Sequence, residues 1–154
     1  MLFAVSGPNG AHIAVKPGGT GDVTGSHVVW RNERGTSFVP SGIVLGTRYY
    51  LADDKGIATC LDTTSGTILW RKRLGGNITA SPVAAGNLVF FTNEAGSTLI
   101  LDAAKPEYHE ISRNEIGEDV YASLAISQGN ILIRTAKNLV CVRRSHEIKS
   151  QNVH

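Results

Sequence analysis

Apolar positions along this chain come in short bursts of β-branched and aromatic residues. Arg48-Tyr49-Tyr50-Leu51, Leu88-Val89-Phe90-Phe91, Asn130-Ile131-Leu132-Ile133 and Leu139-Val140-Cys141-Val142 are examples. Each burst is bounded by Gly, Asn, Asp or Ser, the punctuation of strands and hairpins. Helical spacing has a single candidate, Lys105 to Asn114, which is polar and interrupted by Pro106. The pattern therefore predicts many short strands joined by tight turns.

The bursts recur with a fixed period. Trp30 and Trp70 lie 40 positions apart, as do Ser41 and Ser81, Gly46 and Gly86, Gly56 and Gly96, and Asp62 and Asp102. Each anchor sits in the same local pattern. A small-residue segment (Pro40-Ser41-Gly42-Ile43-Val44; Ala80-Ser81-Pro82-Val83-Ala84) leads to a Gly turn and an aromatic-rich run. An acidic-Gly turn follows (Asp53-Asp54-Lys55-Gly56; Asn93-Glu94-Ala95-Gly96), then a second apolar run ending in Asp62 or Asp102. The pattern extends more loosely to Ala122-Ser123-Leu124 and beyond, and backwards to Leu2-Phe3-Ala4-Val5. In this register Lys105 to Asn114 replaces the segment ending in Trp70, and it reads as a strand that has lost its tryptophan.

Each period holds four strands, here lettered A to D from the small-residue segment. Four-stranded sheets at a period of about 40 residues are the arithmetic of a β-propeller blade. Small residues suit strand A, where blades converge on the axis, and bulk suits the broad outer strand D. The expected fold is all-β, a partial propeller or half-ring of about four blades. A single segment spans 1–144: a partial blade 1 at 1–34, blade 2 at 35–74, blade 3 at 75–116 and a partial blade 4 at 117–144. A polar tail follows at 145–154. The expected strand numbers are three, four, four and three, fourteen in all.

The segment Cys60-Leu61-Asp62-Thr63-Thr64-Ser65-Gly66-Thr67-Ile68-Leu69-Trp70 is the most specific feature. It resembles the tryptophan-docking repeat of the pyrroloquinoline-quinone (PQQ) type propellers, with Asp62, Gly66 and Trp70 matching and Ser65 standing for Thr. Asp62 is expected to cap a tight turn and Gly66 to supply a positive φ. The echo at Trp30 has a longer C–D connection, and the third repeat keeps Asp102 without a Trp. The chain looks similar to the non-enzymatic branch of the family, which includes the lipoprotein subunit of the bacterial outer-membrane β-barrel assembly machine. That resemblance implies a scaffold or binding module for a protein or small molecule, in a periplasmic or extracellular setting. The alternative it leaves open is a fragment of a PQQ-dependent quinoprotein dehydrogenase.

Composition narrows the chemistry. Fifteen basic against 13 acidic residues give a net charge of +2, which argues against a nucleic-acid groove. No apolar run approaches the ~18 residues of a spanning helix, and the first residues do not form a secretory signal. His12, His27, His109, His146 and His154 have no metal-type spacing. Pro17-Gly18-Gly19-Thr20-Gly21 lacks the Lys-Ser/Thr of a phosphate loop and reads as a plain connection. Cys60 and Cys141, 81 positions apart, read as two buried free thiols rather than the vicinal pair of alcohol-oxidising quinoproteins. No catalytic, cofactor-binding or metal-binding residue is expected.

In propeller geometry the B–C hairpins and the D-to-A links share one face, the cofactor face in quinoprotein relatives. It would carry Arg34, Asp53, Asp54, Asn77, Glu94, Glu115, Glu118 and Asp119. An arc of four blades leaves the sides of its outer blades uncovered. Two explanations stand: the missing blades of a longer chain, or a homodimer whose two arcs make one ring.

Overall fold

The computed structural model describes residues 1–5, 7, 10–33 and 37–143. Arg34 and the tail expected at 145–154 lie outside the described residues. Among the described residues, fourteen strands and one helical turn follow one another. The first sheet runs β1 (Leu2–Val5), β2 (His12–Val15), β3 (Val28–Asn32), with the turn α1 (Thr24–His27) in the long β2–β3 connection. The second runs β4 (Ile43–Leu45), β5 (Arg48–Ala52), β6 (Ile57–Asp62), β7 (Ile68–Arg73). The third runs β8 (Val83–Ala85), β9 (Leu88–Thr92), β10 (Ser97–Asp102), β11 (Glu110–Glu115). The fourth is β12 (Ala125–Ser127), β13 (Asn130–Arg134), β14 (Leu139–Arg143).

All pairings are antiparallel between neighbours in sequence, so each sheet is a meander. These sheets of three or four strands are partial β-propeller blades, and they do not close into a barrel. The polar stretch Lys105 to Asn114 yields β11 from Glu110 onward, preceded by turns. The glycine-rich connection at 17–25 carries a helical turn at its end, a local feature that the bursts of apolar residues do not signal.

Cross-strand partners project to the same side of a sheet, so the pairing register defines each packing face. In the second sheet Ile43, Tyr50, Cys60 and Trp70 are successive partners. They pack in one cluster with Val89, Phe91, Leu99 and Leu101 of the third sheet. One interface earlier, Phe3, Ala14 and Trp30 meet Tyr49, Leu51 and Leu61. One interface later, Val83, Phe90 and Ile100 meet Ile131, Ile133 and Val140. Burying a Leu, Phe or Ile fully is worth ~1.5–3 kcal/mol. The three interfaces, rather than any single sheet, therefore hold the fold together.

The fourth sheet repeats the same row as Ala125, Leu132 and Cys141. Among the described residues no sheet packs against that row, which lies on the face turned away from the third sheet. This corrects the expectation of two buried thiols: Cys60 is 0% exposed, whereas Cys141 is exposed beside Leu139 at 67%. The two cysteines hold equivalent places in their sheets. Only Cys60 is covered by a following sheet. Burial pushes the Cys60 thiol up to about 12, so it is protonated at neutral pH and inert to thiolate chemistry.

A dilute native sample should therefore react with a thiol-specific chromogenic reagent at one cysteine per chain, and at two only after denaturation. Fast reaction of both thiols in the folded state would contradict the interface between the second and third sheets.

Candidate functional site

The B–C hairpins and the D-to-A links are hydrogen-bonded to each other. In the β5–β6 hairpin, the Asp53 carboxylate accepts the Lys55 and Ile57 N–H groups at 3.0 and 2.9 Å, which closes the turn. Gly56 completes it at φ +76°, where a Cβ would lie 2.1 Å from the Gly76 carbonyl oxygen. The Asp54 carboxylate reaches the preceding link and accepts the N–H groups of Phe38 (2.7 Å) and Val39 (3.1 Å). The Asp54 carbonyl accepts the Ile78 N–H from the following link at 3.2 Å.

The β9–β10 hairpin repeats the arrangement. The Glu94 N–H donates to the Asn77 carbonyl at 2.8 Å, and the Glu94 carbonyl accepts from Val120 at 3.0 Å. The Thr79 hydroxyl donates to Glu94 Oε1 at 3.1 Å, and Asn93 Nδ2 donates to the Gly75 carbonyl at 3.1 Å. At the fourth sheet the Glu118 carboxylate accepts from Thr135 Oγ1 (2.6 Å) and Asn138 Nδ2 (2.7 Å). The Thr135 hydroxyl, then the Asn138 amide, holds the Glu118 carboxyl below its usual range. The Ala136 N–H donates to the Asp119 carbonyl at 2.8 Å.

Asp54, Asn77, Glu94, Glu118 and Asp119 thus lie in this hairpin–link layer. Asp53 caps a turn within it, and Glu115 is exposed at the end of β11. The carboxylates of Asp53, Asp54, Glu94 and Glu118 face donors of the chain itself. Among the described residues, no three His, Cys, Asp or Glu side chains gather as metal ligands would. The side chains of Lys55, Asn77, Asp119 and Lys137 remain exposed on this layer. It is a hydrogen-bonded surface of mixed charge.

The opposite rim carries the C–D turns. Asp62 Oδ1 accepts the Thr64 and Ser65 N–H groups at 3.0 and 2.8 Å, and the Ser65 hydroxyl at 3.0 Å. The Ser65 backbone bond leads in holding the Asp62 carboxyl below its usual range. Asp102 makes the weaker version, accepting the Ala104 N–H at 2.9 Å. Gly66 has φ +71°, and a Cβ there would lie 2.5 Å from the Trp30 ring. Trp30 Nε1 donates to the Thr63 carbonyl at 2.9 Å, and Asn32 Nδ2 donates to the Gly66 carbonyl at 3.2 Å.

Trp70, half-buried, meets Tyr108 of the third sheet edge-on at 5.3 Å between ring centres. Burial, then the bond to Glu110, pushes the Tyr108 hydroxyl up to about 12. In the third sheet the partner of Ile100 is Ser112, so a serine stands where the tryptophan would be. Two arginines that the sequence reading did not single out also cross between sheets. Arg48 donates to the carbonyls of Ala103 (2.8 Å) and Lys105, and Arg113 donates to the Leu74 carbonyl at 2.6 Å. Arg113 lies 40 positions after Arg73, whereas Leu88 stands 40 positions after Arg48, so the repeat marks one of the two and not the other.

Successive meander sheets, stacked face to face and stitched at both rims, define a β-propeller arc of the PQQ-like class. The chain belongs to the family described as outer membrane protein assembly factor BamB, whose model matches residues 19–108. Solved structures agree on the fold. BamB from Moraxella catarrhalis superposes with a TM-score of 0.69 at 19% identity, covering 91% of this chain and 42% of that one. A chain of the mitotic checkpoint complex superposes with a TM-score of 0.71 at 17% identity, covering 93% and 45%. A europium-containing methanol dehydrogenase gives 0.50 at 19% identity, covering 60% and 19%. This chain therefore spans less than half the length of each of these structures. No curated protein sequence matches it significantly.

Trp30→Ala should lower stability by ~3–5 kcal/mol, the usual cost of emptying a buried aromatic site. Gly66→Ala should also destabilise, because its Cβ meets that ring. The same Gly66→Ala change should cost less in the Trp30→Ala background, with a coupling of ~0.5–3 kcal/mol in denaturant melts. Strict additivity would break the assigned contact.

Asp62 and Glu118 both have depressed pKa values in the folded state, so each contributes stability at neutral pH that is lost as pH falls through the folded value. Melting temperature should therefore drop from pH 5 downward. The double variant Asp62→Asn with Glu118→Gln should show a shallower acid limb over the same range.

Proposed function

We propose that this chain is a non-catalytic propeller scaffold that mediates protein interactions in outer-membrane protein assembly, on the periplasmic side. The proposed unit is one propeller segment over 1–144, with blades at 1–34, 35–74, 75–116 and 117–144. Family membership supports the class. The observation that carries the non-catalytic reading is the state of the hairpin–link layer. In a quinoprotein this face would need free carboxylates to hold a cation and a quinone. Here those of Asp53, Asp54, Glu94 and Glu118 accept donors of the chain itself. What the layer offers a partner is its exposed polar side chains on a stiff backbone. Asp62, Gly66, Trp30, Trp70 and Asp102 serve, in this reading, to lock neighbouring blades by tryptophan docking.

The exposure of Cys141, against full burial of its counterpart Cys60, favours a further blade over the fourth sheet. A second copy or the remainder of a longer chain would supply it. Mass photometry separates these: a mass of two chains that hides Cys141 from thiol reagents supports the second copy.

The functional reading is tested by two titrations. The purified chain should bind a detergent-solubilised outer-membrane β-barrel assembly complex saturably, in surface plasmon resonance at physiological salt. Titration with PQQ and Ca²⁺ should give no saturable absorbance change. Saturable Ca²⁺-dependent PQQ binding without binding to the complex would favour the dehydrogenase reading instead.

A further inference from the structure

The outer strands of the first three sheets differ in charge. Arg31 of β3 pairs with Glu33 just beyond it at 3.2 Å, and Arg113 of β11 pairs with Glu110 at 3.2 Å. Among the described residues these are the two ion pairs. Between them, β7 carries Arg71, Lys72 and Arg73 in succession, all exposed, with no acidic residue in the strand. This is the longest basic run of a chain whose net charge is only +2.

The register divides these side chains. Trp70 and Lys72 turn toward the third sheet, where the Lys72 ammonium stands 5.5 Å from the centre of the Tyr108 ring. Arg71 and Arg73 alternate with them and project from the opposite face. Arg73 Nη1 donates to the Lys55 carbonyl at 3.3 Å, which sets a third exposed cation beside the pair. The same strand has a free side. β7 ends a sheet in which all four strands are present, so its outer edge belongs to the blade itself. Among the described residues nothing pairs with that side, and alternate N–H and C=O groups point outward. The chain that follows turns away into its link: the Leu74 N–H donates to the Gly56 carbonyl, and the Ile78 N–H to the Asp54 carbonyl.

Unpaired main-chain groups flanked by cations are complementary to an acidic strand. An anionic membrane surface would meet the charges and leave the backbone groups unpaired. To face Arg71 and Arg73 from one added strand, two carboxylates must stand two positions apart, since alternate side chains share a face. No two of the 13 acidic residues in this sequence have that spacing. The segment that fits is therefore supplied by another molecule.

We propose that the outer edge of β7 binds an extended acidic polypeptide in trans, which adds to the second sheet as a fifth strand. It runs antiparallel to β7 and places carboxylates opposite Arg71 and Arg73, with an apolar residue against the exposed Leu69. Main-chain bonds hold the segment, and charge selects it. The edge lies on the outer rim and does not depend on the scaffold reading.

The test is a titration of the ¹⁵N-labelled chain with the capped peptide Thr-Glu-Thr-Glu-Thr-Val. Saturable shift changes centred on Leu69–Arg73 are expected, weakening as salt is raised. Replacing both peptide glutamates by glutamine should weaken binding about five-fold, the worth of two exposed charge pairs. The double variant Arg71→Glu with Arg73→Glu should lose the acidic peptide and bind Thr-Lys-Thr-Lys-Thr-Val at the same edge. The rest of its spectrum, unchanged, shows that the fold is intact. No shift change at millimolar peptide overturns the proposal. So does binding indifferent to the glutamates, or binding of phosphatidylglycerol vesicles with no response to the peptide.

Discussion

Each small sheet in this chain is apolar on both faces, and a sheet of three or four strands cannot cover two faces by itself. Everything else follows from that deficit. The interfaces between successive sheets gather most of the buried apolar side chains, from Trp30 and Tyr49 through Cys60 and Phe91 to Ile133. Stability is therefore a sum over neighbours, as in other repeat arrays. A position's environment depends on whether a next sheet exists. Cys60 and Cys141 occupy equivalent rows, yet one is sealed and the other open.

Apolar packing sets the spacing of the sheets, and it leaves their relative rotation loosely determined, because hydrophobic contact has little directionality. Hydrogen bonds at the two rims provide direction. On one rim Asp54, Glu94 and Glu118 tie hairpins to links. On the other, Trp30 Nε1 and Arg48 reach carbonyls of the adjacent sheet's C–D turn, while Arg113 reaches the Leu74 carbonyl where β7 enters its link. The acceptors of Trp30, Arg48 and Arg113 are backbone carbonyls, so those stitches survive a change of side chain on the accepting residue. A scaffold that presents loops to a partner needs such a fixed frame, since ordering loops at the moment of binding costs affinity.

The tryptophan motif shows how a local pattern can be right in composition and misleading in connectivity. Asp62, Gly66 and Trp70 stand in one stretch of sequence and read as one unit. In space Gly66 receives Trp30 from the preceding sheet, while Trp70 faces Tyr108 of the following one. Adjacent members of the motif therefore belong to two different interfaces. The third sheet carries Ser112 where Trp70 would be, and among the described residues the fourth sheet has no C–D turn to receive a tryptophan.

The sequence by itself determined the strands, their grouping into four sheets, and the turns at Asp62, Gly56 and Gly96. Those depend on side-chain alternation and backbone preference, which act over a few residues and repeat visibly every 40 positions. The layer of Asp53, Asp54, Asn77, Glu94, Glu118 and Asp119 was legible as a set, because hairpins and links of one handed meander must emerge together. The tertiary structure decided what those residues do. Whether a carboxylate is free or already accepts the Phe38 amide or the Thr135 hydroxyl depends on groups 15 to 17 positions away. The same holds for the hydrogen bonds from the Ser41 N–H to Ser81 Oγ and from the Ser81 N–H to Ser123 Oγ, which together span three sheets. Hydrogen bonds of that reach form only after the apolar faces have stacked, so no window of sequence contains both of their ends.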